Sequence, residues 1–204
     1  MVIAIAVFAC QKQAKQFPVI GPHLIDDNGD TLIHTIGAFH FIDQDGAPFT
    51  HEVTAGNMYV ADFFFTTCPD ICPQMSKSLK RVEEKTHHME DFLILSHTLD
   101  PDFDTPEELR KYIRDIETEA RNWTFLTTND EDYVYEVMMD QYLLSGSPTG
   151  AVNGGIFHTG KLVLVDQKGR IRGYYEGTDP LDVQRLLEDI PLLMDQMKDE
   201  AENE

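Results

Sequence analysis

Residues 58–65 are apolar at every position but Asp62, and residues 92–99 are apolar except at Ser96, His97 and Thr98. Strands covered on both faces read this way, because neither set of alternate side chains meets water. Other segments show different periods. Met75, Leu79, Val82 and Lys85 mark a helix over about 73–85, ending near His87 and His88. The run Asp104-Thr105-Pro106-Glu107-Glu108 starts a second helix, with Asp104 as its cap, and this helix is expected to reach about Ala120. Val134, Val137, Met138 and Tyr142 space a third helix over 131–142, and residues 181–197 form a final amphipathic helix kinked by Pro191.

Residues 39–43 and 48–50 read as a hairpin around Asp45-Gly46. Residues 123–127 are a short strand, and residues 161–166 and 171–175 a second hairpin. Residues 146–155, rich in Gly, Ser and Pro, are a loop; residues 11–33 offer little beyond a turn at 26–30. The order is a hairpin followed by βαβαβαββα. Alternating βα units predict an α/β sheet, and the closing hairpin and helix a thioredoxin-like fold with an added N-terminal β-hairpin. The expected organisation is a leader and tether over 1–33, one domain over 34–197 and an acidic tail over 198–204.

Charge narrows the partners. Thirty-six acidic against 16 basic residues give a formal charge of −20. Such a surface repels nucleic acid, so a nucleic-acid partner is not expected, and it attracts cations and basic proteins. Three cysteines are too few for a disulfide scaffold. One of them ends the apolar start MVIAIAVFAC, where Val7-Phe8-Ala9-Cys10 is similar to a bacterial lipobox. The expectation is a lipid anchor at Cys10 holding the domain at a membrane on the periplasmic face of a cell envelope, with residues 11–16 as tether.

The other two cysteines carry the chemistry. Cys68 and Cys72 stand in Thr67-Cys68-Pro69-Asp70-Ile71-Cys72-Pro73, between a buried strand and a helix. A helical turn between them would put both thiols on one face, with the first near a helix N-terminus that favours thiolate. Thiolate is the nucleophile of disulfide exchange and a soft ligand for Cu(I). Spacing alone leaves metal binding, redox cycling and an inert structural pair open. His158, between the glycine-rich loop and a hairpin strand, is the candidate third ligand, completing a Cys₂His set that suits copper and is also acceptable to zinc. His97 is a second histidine candidate, and Asp100 a candidate hydrogen-bond partner or weak oxygen ligand.

The heptad TCPDICP, the run Asp100-Pro101-Asp102-Phe103-Asp104-Thr105-Pro106 and His158 ahead of residues 162–166 together resemble the Sco/SenC family over about residues 38–195. The resemblance implies a membrane-anchored, thioredoxin-fold copper protein that assists assembly of the copper A centre of cytochrome c oxidase. It implies copper, as Cu(I) or Cu(II), on Cys68, Cys72 and His158, a redox-active Cys68–Cys72 dithiol, and the copper site of oxidase subunit II as partner. Three functions compete: a copper metallochaperone, a thiol–disulfide oxidoreductase recharged by a thiol reductant, and a copper or redox sensor. CxxxC spacing suits two ligands on one metal better than the CxxC of thioredoxin-type reductases.

Overall fold

A computed structural model describes residues 15–26, 28–145 and 159–203. Its centre is a seven-stranded sheet ordered β4-β3-β7-β6-β5-β8-β9. The strands are β3 (His40–Asp43), β4 (Pro48–Thr50), β5 (Met58–Phe64), β6 (Phe92–Thr98), β7 (Trp123–Thr127), β8 (Lys161–Val165) and β9 (Ile171–Glu176). The two buried strands expected at 58–65 and 92–99 are β5 and β6, which pair in parallel at the middle of the sheet. β7 extends the parallel set, while β3 and β8 run antiparallel to their neighbours. The hairpin expected at 39–50 is β3–β4 and forms one edge.

Helices cover both faces. α2 (Cys72–Thr86) and α5 (Pro180–Glu202) pack on one, where Leu79, Val82, Leu186 and Ile190 meet Val60, Phe64 and Ile94. α3 (Pro106–Asp115) adds Leu109 to the same core. On the other face, α4 (Glu131–Glu136) and a π-helical turn (Val137–Gln141) bring Val134, Met138 and Tyr142 against Phe63, Leu95 and Val163. Fully burying each such side chain contributes roughly 1.5–3 kcal/mol.

Several boundaries differ from those the pattern predicts. A two-stranded ribbon, β1 (His23–Ile25) with β2 (Thr31–Ile33), brackets the predicted 26–30 turn. Its strands are three residues long and exposed, too short to display a period. A four-residue helix, α1 (His51–Thr54), follows β4. α3 stops at Asp115 rather than near Ala120, because Glu117 and Ala120 take φ of 55° and 49°. The buried Glu83 carboxylate fixes that reversal by accepting from Thr118 Oγ1 and from the Arg121 N–H at 2.9 Å. The helix at 131–142 is divided, its last turn closing from Tyr142 N–H to the Val137 carbonyl at 3.1 Å. α5 continues past Met197 to Glu202, with Pro191 inside it.

The segment before β1 is tied down. Lys15 pairs with Asp189 at 2.5 Å, and buried Arg172 donates to the carbonyls of Phe17 and Pro18 at 2.9 and 3.0 Å. Arg172 also pairs with buried Asp166 at 2.6 Å.

Candidate metal centre

β5 delivers its end to a tight turn in which the Cys68 N–H donates to the Phe65 carbonyl at 3.2 Å. Residues 69–71 bend rather than coil, and Ile71 caps α2, so the helix begins at Cys72 itself. Pro73 then falls in the first turn, where its missing N–H costs nothing. Cys68 and Cys72 are thiols, 6% and 1% exposed. They lie within hydrogen-bonding reach of each other, under the rim of the sheet rather than on an open edge.

Burial pushes the Cys72 thiol well up, and its hydrogen bond with Cys68 and the nearby Asp62 charge add to the effect. The helix N-terminus, expected beside the first thiol, begins at Cys72, and for Cys72 burial outweighs it: the dipole supplies roughly 0.3–1 kcal/mol, while burial of an anion costs several. Cys72 is therefore a protonated thiol at neutral pH until a cation or an oxidant takes the place of its proton.

Asp62 lies on the same face of β5 as Val60 and Phe64, facing the cysteine side. Burial raises its carboxyl to about 7, partly countered by a hydrogen bond from Ser96 Oγ, which itself accepts from Trp123 Nε1 at 2.8 Å. Beside it, Tyr112 and Ser76 share a 2.6 Å hydrogen bond, and burial raises the Tyr112 phenol. The dithiol thus sits above a small polar pocket in an otherwise apolar core. The sequence signal was a lone carboxylate inside an apolar run.

Asp104 does not cap α3. Thr105 does, accepting from the Glu108 N–H at 3.4 Å. Asp104 is buried and accepts from the Thr66 N–H at 3.0 Å, from Thr66 Oγ1, and from Thr98 Oγ1 at 2.5 Å. It fastens the approach to Cys68 to the end of β6. His97 lies on the far face, enclosed by Phe39, Phe41, Phe63 and Tyr142. It is no part of the dithiol cluster. His158 and Cys10 lie outside the described residues; β8, which follows His158 in sequence, begins at the edge of the sheet where β5 ends.

Among the described residues no three His, Cys, Asp or Glu side chains converge as a metal cage. The donor set present is two sulfurs in contact, which matches a soft monovalent ion and offers little to a hard divalent one.

A central mixed sheet with a dithiol at the turn from a central strand into a helix defines a thioredoxin-like dithiol protein. The SCO1/SenC family profile matches residues 28–195, and the chain belongs to that family. It is similar to a SCO1/SenC family lipoprotein from Bacillus anthracis, with 27% identity and a TM-score of 0.71 over 78% of this chain and 94% of that one. It is similar to BsSco, described as a member of the Sco family of cytochrome c oxidase assembly proteins with a disulfide switch, at 27% identity and a TM-score of 0.68 over 79% and 94%. The fold is shared with copper-bound ScoI from Arabidopsis thaliana, at 22% identity and a TM-score of 0.63 over 78% and 98%.

Proposed function

We propose that the protein is a copper metallochaperone for the copper A centre of cytochrome c oxidase, holding one copper ion as cargo on Cys68, Cys72 and His158. The observation that carries this reading is the pair of reduced, mutually contacting thiols at the strand-to-helix turn. Family membership, the oxidase-assembly role named for BsSco and the copper held by ScoI support it. Copper displaces both thiol protons; the two thiolates neutralise Cu(II) and hold Cu(I) as a net −1 complex. Release to the subunit II site proceeds by exchange of one ligand at a time, starting from the less buried Cys68.

A second reading is favoured by the unequal burial of the two sulfurs. Cys68 thiolate attacks a disulfide of the oxidase copper site, forming a mixed disulfide and expelling one substrate thiolate. Cys72 then attacks Cys68 Sγ, releasing the second thiolate and leaving a Cys68–Cys72 disulfide. Two electrons pass to the substrate, and a thiol reductant restores the dithiol.

One experiment separates these readings: copper stoichiometry of the reduced protein measured beside its rate of reducing a copper A domain disulfide. One copper per chain with slow reduction supports the chaperone; fast reduction without copper uptake supports the reductase. His158→Ala should weaken Cu(II) more than Cu(I), since two thiolates satisfy linear Cu(I).

The domain is held at the envelope membrane by lipid on Cys10 in this proposal, in line with the lipoprotein relative. No helix among the described residues is long and apolar enough to cross a membrane. Mass spectrometry of the mature N-terminus tests the anchor, and an unmodified Cys10 would remove it.

A further inference from the structure

Next to the dithiol the chain raises a short turn, residues 100–104, whose parts point in opposite directions. Pro101 and Asp104 are buried, while Phe103 is 49% exposed. The turn is closed by N–H donors from Phe103 and Asp104 to the Asp100 carbonyl at 3.2 and 2.8 Å. Its base is the Asp104 clamp on Thr66 and Thr98. Phe103 and Thr67 line one recess of about 130 Å³. The aromatic ring is therefore displayed on a rigid mount one residue from Cys68, and little conformational entropy remains to be lost if something covers it.

Lys111, paired with Glu108 at 3.5 Å, lines the recess on one side of this mount, and carboxylates crowd the other. At the start of α4, burial raises the Glu131 carboxyl, and the neighbouring Asp102, Asp100 and Asp132 add to the effect. None of these four acids pairs with a lysine or arginine among the described residues. Below them the Tyr135 hydroxyl is buried without a hydrogen-bond partner. It lies within the field of Glu131 and Asp100. Crowded carboxylates and an unfilled hydroxyl acceptor in one place lack a cationic hydrogen-bond donor.

We propose that the 100–104 turn is the docking surface for a basic protein partner, with Phe103 entering an apolar recess of that partner and an arginine or lysine beside the recess lodging among Asp100, Asp102 and Glu131. The inference rests on the reading above in one respect, that a protein partner exchanges copper or electrons at Cys68. Exposed aromatic anchors supply most of the holding energy in interfaces. The surrounding charge, on a chain of formal charge −20, steers the encounter.

The test uses the full reduced chain and the soluble copper A domain of the host oxidase, with binding followed by titration and the footprint by NMR shift mapping. Phe103→Ala should weaken binding about tenfold, mainly through faster dissociation. The double variant Asp102→Lys with Glu131→Lys should slow association and flatten its salt dependence. An equal charge reversal at Asp195 and Asp199, exposed near the far end of α5, should change little. Copper binding by each isolated variant should match wild type, which separates docking from folding and from ligation. A footprint away from Phe103, unchanged binding in both test variants, or no binding of the domain at all would overturn the docking surface. Binding at Phe103 with no transfer of copper or electrons would instead uphold the surface and overturn the proposed function.

Discussion

The backbone carbonyl of Asp62 accepts a hydrogen bond from His97 Nδ1 at 3.3 Å, so one residue of β5 serves both faces of the sheet. Its carboxyl takes the Ser96 hydroxyl on the dithiol side, while its carbonyl holds His97 in the aromatic enclosure behind. A carbonyl can only accept, so Nδ1 carries the proton and Nε2, buried and without a partner, is bare. His97 is thus a neutral imidazole, its pKa lowered by burial to about 4.

These two groups oppose each other in the pH dependence of stability. His97 folds neutral, so the unfolded chain gains a proton first as pH falls below 6.5, and stability drops by roughly 3 kcal/mol down to about pH 4. Asp62 folds protonated up to about pH 7, so the unfolded chain loses its proton first as pH rises above 3.8, and stability drops by roughly 4 kcal/mol towards pH 7. Between about pH 4 and 6.5 the two slopes cancel. Asp62→Asn should expose the first, making stability relative to wild type fall on acidification. His97→Phe should expose the second, making it rise. Urea unfolding at steps between pH 4 and 7 reads both curves; parallel curves for wild type and Asp62→Asn would show that Asp62 is ionised in the folded protein.

Asp104→Ala should cost about 3 kcal/mol, because it strands the buried Thr98 hydroxyl and the part-buried N–H and hydroxyl of Thr66. It should also lower copper affinity, since the segment entering Cys68 loses its tie to β6. Asp104→Asn should recover part of both. Denaturant midpoints and copper competition titrations on the three proteins give the comparison. A loss under 1 kcal/mol in Asp104→Ala would mean that water replaces the carboxylate and that the clamp is incidental.

The helices, the central strands and the position of the cysteine turn were legible in the sequence because period and apolar continuity report burial directly. Asp104 was misassigned because Asp-Thr-Pro supports two capping registers, and only Thr98 and Thr66, distant in sequence, draw the carboxylate inward. His97 attracted notice as a ligand because its place near a strand end was visible and the face it occupies was not. One residue of register exchanges the two faces of a strand. The ribbon at 23–33 escaped because exposed three-residue strands leave no apolar signature.

The two thiols should be alkylated in order. Cys68 is the less buried, and burial holds the Cys72 proton in place. Brief iodoacetamide pulses at neutral pH, followed by peptide mapping, should label Cys68 several-fold ahead of Cys72, since the thiolate is the reactive species and burial both shields the inner sulfur and keeps it protonated. Equal labelling would mean that the turn opens faster than the reagent reacts.

Oxidation should switch copper loading off. The two sulfurs already lie within hydrogen-bonding reach, so a Cys68–Cys72 disulfide needs only a local adjustment of residues 68–72. Once it forms, neither sulfur offers a thiolate, and the two donors leave the ligand set together. Peptide mapping of air-oxidised protein should find this link, and Cu(I) affinity should fall by several orders of magnitude until a reductant is added. Cys68→Ser and Cys72→Ser should each lose tight Cu(I) binding without any dependence on oxidant, because one thiolate alone makes a poor soft site. Full copper affinity in the oxidised protein, or in either serine variant, would show that copper sits elsewhere and would end the reading of Cys68 and Cys72 as its ligands.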